Sequence, residues 1–350
     1  MKTLTALLLT ATLSLSYPAL AGTKVYIPMG GANEVIIIDA EKDKIIGSIK
    51  DVAGSHGLSG NSKGTYLIAG SINEDNDGTE TLQKPQGMAQ DEHDAHHVSG
   101  VAAAVAKTGS VSYLTLIRTE DNTVERRISV PGSVHHTLIT PDDRYAVATH
   151  QGEGAVSIVD LKTFEVKTVS TGPVPNYIIA SPDGNYVYVS NAGNNTISVL
   201  DTKSWIVRSN IEVGETPEHL VISADGKSLY VNNVGDGTVS IVSVPNGTVE
   251  NTLVVGGNIH GIDLSQDENT LFIAAREENK VVSINLRTGQ LRSQMLSPAP
   301  YHLATINGLG KLYISSAEDN KIWVVDQKTL KIITEIPVSD RAHQMVVVQN

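Results

Sequence analysis

GETPEHLVISADGKSLYVNNVGDGTVSIVS, Gly214 to Ser243, is the stretch whose reading decides the fold. It reads as an introductory strand, a tight turn at Ala224-Asp225-Gly226, a second strand, another turn and a third strand. The residues just before it, GPVPNYIIASPDGNYVYVSNAGNNTISVLD from Gly172 to Asp201, repeat the same order. Self-similarity at a fixed period is the mark of a repeat architecture, so the period outranks every local signal.

Working outward, six units begin near Ser55, Val134, Pro175, Pro217, Ile259 and Tyr301, at a spacing of about 42 residues. Each has β-branched and aromatic runs (YAVAT, YVYVS, LYVNN, LFIAA, LYISS) and turns of the type PDD, PDG, ADG or QDE. The chain ends supply a seventh unit in two pieces. Lys24 to Val52 offers three strands without an introductory one, and Ala342 to Asn350 offers one introductory strand. Pairing the two closes a ring and removes the sheet edges an open array would leave. The prediction is an all-β fold: a seven-bladed β-propeller of four-stranded blades, closed by pairing the C-terminal strand with the N-terminal three. It forms one domain over residues 22–350, with a long insertion at about 72–110.

On YVYVSNAGNNTISVLD, SPDGNYVYVSN and ADGKSLYVNN, the chain resembles the YVTN-type repeat β-propellers of bacterial periplasm and surface layers. That resemblance implies a propeller over nearly the whole mature chain. It leaves activity open, because one fold hosts many functions. The wider structural set includes propellers of nitrous oxide reductase, the haem domain of nitrite reductase and amine dehydrogenase. No local motif here carries over a catalytic residue from them.

The segment before the repeats reads as a targeting signal over residues 1–21. Met1-Lys2 is a positive start, Leu4 to Leu15 is apolar, and Ala19-Leu20-Ala21 is a cleavage site of the A-x-A kind. The apolar run is too short for a membrane span. The expectation is an exported, periplasmic, monomeric protein. With no cysteine it has neither disulfides nor thiolate metal sites, so core burial alone holds it together. With 26 Lys+Arg against 38 Asp+Glu and a net charge of -12, it lacks the basic surface a nucleic-acid partner requires.

A second periodicity lies inside the first. Aligned on their turns, the units place His56, His135, Asn176, Glu218, His260, His302 and His343 at one equivalent position. From His135 onward the steps are 41, 42, 42, 42 and 41 residues, with His302 placed to within one residue because its turn is shorter. His136 and His219 stand beside members of this set, and strand alternation is expected to turn them away. The start of each innermost strand lies at one end of the central channel, so the seven side chains are expected to ring a wet channel mouth. The insertion falls between the second and third strands of the blade starting at His56, on the same face. It carries Asp91, Glu92, His93, Asp94, His96 and His97, and His150 is expected at that end too.

Neutral imidazole suits Zn, Cu, Ni or Fe, so the ring and the His93, His96 and His97 tract are candidate metal ligands. Three function classes fit. One is a zinc- or copper-binding protein with the insertion as lid or carrier arm. Another is an enzyme or cofactor-handling protein, using bound copper or haem for redox chemistry or a His as general base in a lyase or lactonase. The third is an interaction scaffold for a periplasmic protein partner. A polar channel lining inherited by repetition explains the ring without any ligand. Asp39, Asp160, Asp201 and Asp326, at the ends of third strands, are read as turn-stabilising.

Overall fold

The computed structural model describes residues 22–74 and 109–349. Its seven sheets each hold four antiparallel strands. In blade 1, β1 (Lys24–Met29), β2 (Glu34–Asp39) and β3 (Lys44–Lys50) are joined by β28 (Val346–Val348). The closing strand pairs Lys24 with Val348, Val25 with Val347 and Tyr26 with Val346. The ring closes as the complementary chain ends predicted.

Blades 2 to 7 start from the innermost strands β4 (Ser55–Gly60), β8 (Thr137–Ile139), β12 (Pro175–Ala180), β16 (Pro217–Ile222), β20 (Ile259–Leu264) and β24 (Pro300–Ile306). Blade 2 continues through β5 (Tyr66–Ser71), β6 (Val111–Arg118) and β7 (Thr123–Pro131), so the long insertion does interrupt the second-to-third strand connection. Residues 1–21 and the insertion's 75–108, with His93, His96 and His97, lie outside the described residues.

Burial explains the residue patterns. In each blade the second and third strands are sandwiched between neighbouring blades. They therefore read as almost unbroken apolar runs, such as LFIAA at Leu271–Ala275. The fourth strand faces solvent, and Ile206–Glu212 is mostly exposed. Core residues cluster between blades. Val147, Val156 and Ile158 of blade 3 meet Ile178, Val187, Leu200 and Trp205 of blade 4. Phe272 and Val281 of blade 6 meet Leu312, Ile314 and Trp323 of blade 7. Six such seams between consecutive blades and a seventh at the closure, where Ile306 and Tyr313 pack on Val25 and Ile36, hold the ring.

The turns behave as their residues predict. Ser181 donates to Asp183 (2.6 Å) and accepts from the Tyr186 amide (3.0 Å), while Gly184 takes φ +70. Asp160, Asp201 and Asp326 accept amide bonds from the turns that follow them, as does Asp39. The Ser204 bonds hold Asp201 down to about 2.

Candidate metal centre

The innermost segment of each blade brings two consecutive residues to the channel, where a regular strand would bring one. The cause is a recurrent β-bulge. Pro217 pairs with Asn233 but Leu220 with Val231, so three steps on the inner strand match two on its partner. The same slip occurs at Ser55/Leu58, Pro175/Ile178, Ile259/Ile262 and Pro300/Leu303. A bulge breaks the alternation of faces. The expectation that His136 and His219 turn away fails: His219 sits in the blade 5 bulge, the Thr149 backbone bonds both His135 and His136, and the two ring centroids are 5.1 Å apart.

The two bulge positions build two layers. The first holds His56, His135, Asn176, Glu218, His260, Tyr301 and His343. The second holds Gly57, His136, Tyr177, His219, Gly261, His302 and Gln344. His302 thus belongs one residue further along than its predicted equivalents. Pro300, paired with Ser316, corresponds to Pro217, paired with Asn233, so Tyr301 occupies the slot assigned to His302. The turn of blade 7, Asn307–Gly310, lacks the Asp that marks the turns of blades 3 to 6, which hid this register. Tyr301 stacks on His260 at 4.0 Å, and Tyr177 sits 4.6 Å from both His136 and His219. Neither tyrosine is visible as a site residue in sequence, where only the recurring imidazoles stand out.

Around the first layer, His56 lies 4.5 Å from His135 and 4.4 Å from His343, and Glu218 Oε2 lies 3.3 Å from His260 Nδ1. In the second layer His219 lies 5.0 Å from His302, and His136 lies 6.0 Å from it. Contacts between layers are as short as 4.1 Å, for His219 and His260. Seven histidines and one glutamate thus form one continuous cluster. Gly57 and Gly261 allow it: a Cβ at Gly261 would lie 2.6 Å from the Tyr301 carbonyl, and one at Gly57 would lie 2.7 Å from Cα of His136.

Small polar side chains on the second strands anchor the bulges. Thr149 Oγ1 accepts from the His136 amide (3.0 Å), Ser190 Oγ from Tyr177 (2.9 Å) and Ser315 Oγ from His302 (3.1 Å). In blade 5 the equivalent Asn232 donates instead to the carbonyl of His260 in the next blade. His150 is not part of the cluster. Its Nε2 bonds Ser157 Oγ at 2.8 Å and its Nδ1 lies 3.0 Å from the Ser133 carbonyl. It copies the Asn191–Ser198 and Asn233–Ser240 bonds of blades 4 and 5, which is a structural brace.

The mouth is not wet. No histidine or glutamate of the cluster is more than 5% exposed. Burial has two electrostatic results. It pushes His136, His219, His260 and His302 well below the usual imidazole range, and it raises Glu218 to about 8. At neutral pH the imidazoles are therefore uncharged, the form that ligates metals.

Tautomers are partly fixed as well. The Asn176 carbonyl lies 3.1 Å from His136 Nδ1, and the His135 carbonyl lies 3.0 Å from His56 Nδ1. A carbonyl only accepts, so the His56 ring carries its proton on Nδ1 and presents the lone pair on Nε2, the arrangement that second-shell bonds impose on metal-ligating histidines, while His136 Nδ1 and His135 Nδ1, 2.9 Å apart, share one proton between them. His136 Nε2, His302 Nε2 and both nitrogens of His219 have no hydrogen-bond partner among the described residues. One ligand nitrogen from each of the three rings lies within 4.8 Å of those of the other two. Left unsatisfied, each such buried atom costs about 1–3 kcal/mol.

Residues 85–230 match the family model described as YNCE-like beta-propeller. Comparison with curated proteins finds no match. Among solved structures the chain is similar to hydrazine synthase of Kuenenia stuttgartiensis, at 18% identity, TM-score 0.66, covering 83% of this chain and 88% of that one. It is also similar to a periplasmic gluconolactonase of Pseudomonas aeruginosa, at 15% identity and TM-score 0.70, covering 93% and 99%. A putative 6-phosphogluconolactonase of Bacteroides fragilis aligns at 14% identity and TM-score 0.73, covering 95% and 100%. At these identities the likeness speaks for the fold alone. The chain is a repeat-built seven-bladed β-propeller, with a YNCE-like propeller match across residues 85–230.

Proposed function

We propose that this is an exported, periplasmic propeller that binds a transition metal, zinc or copper, in the histidine cluster of its channel. The observation that carries this reading is the convergence of His136, His219 and His302. Three neutral imidazoles from alternate blades each bring one ligand nitrogen within 4.8 Å of the others in a buried site, and each ring has at least one nitrogen without a hydrogen-bond partner among the described residues. Three rigidly held imidazoles suit a zinc or cupric ion, with a fourth position left for another ligand. His56, His135, His260, His343 and Glu218 surround them as further donors. Asn176 serves through its backbone carbonyl, which orients His136. Haem is disfavoured, because ring centroids 4.1–6.1 Å apart leave no macrocycle-sized gap between them.

Binding to the folded state alone stabilises it by about 2.7 kcal/mol at a ligand concentration 100 times Kd. Metal-stripped protein is therefore expected to melt about 5 °C higher when zinc or copper is restored at that excess, and to return on adding chelator. Melting unchanged by either metal counts against the proposal.

A further inference from the structure

We infer that the cluster is built for two metal ions and not one. This rests on the metal-binding reading above and deepens it. The channel gathers eight donor side chains, and four three-donor groups can be drawn among them, each with its ligand atoms within 4.8 Å. They are His56–His135–His136, His56–His302–His343, His136–His219–His302 and Glu218–His219–His260. One ion cannot use eight donors, since zinc takes four and cupric ions take few more.

Glu218–His219–His260 on blades 5 and 6 shares no residue with His56–His135–His136 on blades 2 and 3, nor with His56–His302–His343 on blades 2, 7 and 1, so the carboxylate group can fill together with one all-imidazole group around His56. An imidazole whose Nδ1 is engaged by a hydrogen bond, as in His56 and His136, offers a single ligand nitrogen, so ions filled at the same time need separate donor sets. The carboxylate group and either His56 group meet that condition. The central triad then marks where a single ion sits before a second arrives. On loading of the second, His219 turns to the Glu218 flank and His136 or His302 to the His56 flank. The chemistry differs between the flanks as well. One side is all imidazole, whereas the other adds the Glu218 carboxylate, which brings negative charge to its ion.

The test uses the mature full-length chain, purified without a His-tag, stripped, and loaded with cupric ion alone. Copper per chain is counted after gel filtration for the wild type and for Glu218→Gln/His260→Ala, with the β-sheet circular dichroism of both recorded. Two cluster ions predict that the variant binds one copper fewer than the wild type while the wild type binds at least two. They also predict a cupric EPR signal in the wild type that integrates to fewer spins than copper, because neighbouring ions couple. One copper per wild-type chain, an unchanged count in the folded variant, or spins equal to copper overturns the two-ion inference and leaves single-metal binding standing. No copper bound to folded wild type overturns both. Should the variant misfold, the wild-type count and spin integral decide alone.

Discussion

His219→Ala is expected to weaken zinc or copper binding by about 100-fold or more, the largest loss of any single substitution in the cluster. Three reasons converge on this residue. Neither of its ring nitrogens has a protein partner among the described residues. It belongs to both the central triad and the Glu218–His219–His260 group. It also lies 5.1 Å or less from His136, Tyr177, His260 and His302, so its loss opens the middle of the packed cluster. His150→Asn is the matched control. It keeps a side-chain amide that can reach Ser157, as Asn191 reaches Ser198, and should leave metal affinity unchanged. Competition titration against a chelator of known affinity reads both. Equal affinity of His219→Ala and wild type would remove His219 from the ligand set.

The second large effect is acid lability of the metal-free protein. His136, His219, His260 and His302 are held neutral by burial, and His150 is lowered to about 4 for the same reason. Unfolded, each would titrate near 6.5. As pH falls below 6.5 the unfolded chain takes up protons that the folded chain refuses, so stability drops. The slope reaches about 1.4 kcal/mol per pH unit for each such histidine. Glu218 acts the other way. Raised to about 8, it holds a proton that the unfolded chain releases above its ordinary carboxylate pKa, which adds stability that fades as pH climbs through 8.

Five histidines outweigh one carboxyl, so the net change from pH 7 to pH 5 is a loss of about 5 kcal/mol or more, comparable to the whole stability of many domains. Denaturant unfolding of the stripped protein should therefore show a midpoint that falls steeply between pH 6.5 and 5. Bound metal should move that fall to lower pH, since a ligated nitrogen cannot be protonated. A flat midpoint over this range would mean the buried imidazoles are charged or solvated in the fold.

Blade number and ring closure were legible in the sequence because they depend on period and turn chemistry. Both are written locally, as in the Ser181–Asp183 turn and its counterparts. The recurrence of His56, His135, Asn176, Glu218, His260 and His343 was equally legible, since one register position repeats with the blade. What escaped was the geometry within the strand. The bulge that brings His136 and His219 inward is held by Thr149 and by contacts between blades, which leave no mark in the inner strand itself. His302 was misregistered by one residue because the turn Asn307–Gly310 lacks the Asp that marks the turns of blades 3 to 6, although Pro300 to Ser316 spans as many residues as Pro217 to Asn233. The dryness of the cluster was not foreseen either. It follows from two side-chain layers filling the channel, and one inward residue per blade would have left the mouth open.

Anomalous diffraction at the zinc and copper edges, from crystals of tag-free protein, tests the metal centre most directly. The expected result is an anomalous peak enclosed by His136, His219 and His302, or a pair of peaks flanking that point toward His56 and Glu218. A well-ordered channel with all seven imidazoles in place and no anomalous peak, even after soaking in either metal, would contradict the metal centre and leave the histidines as a polar packing layer.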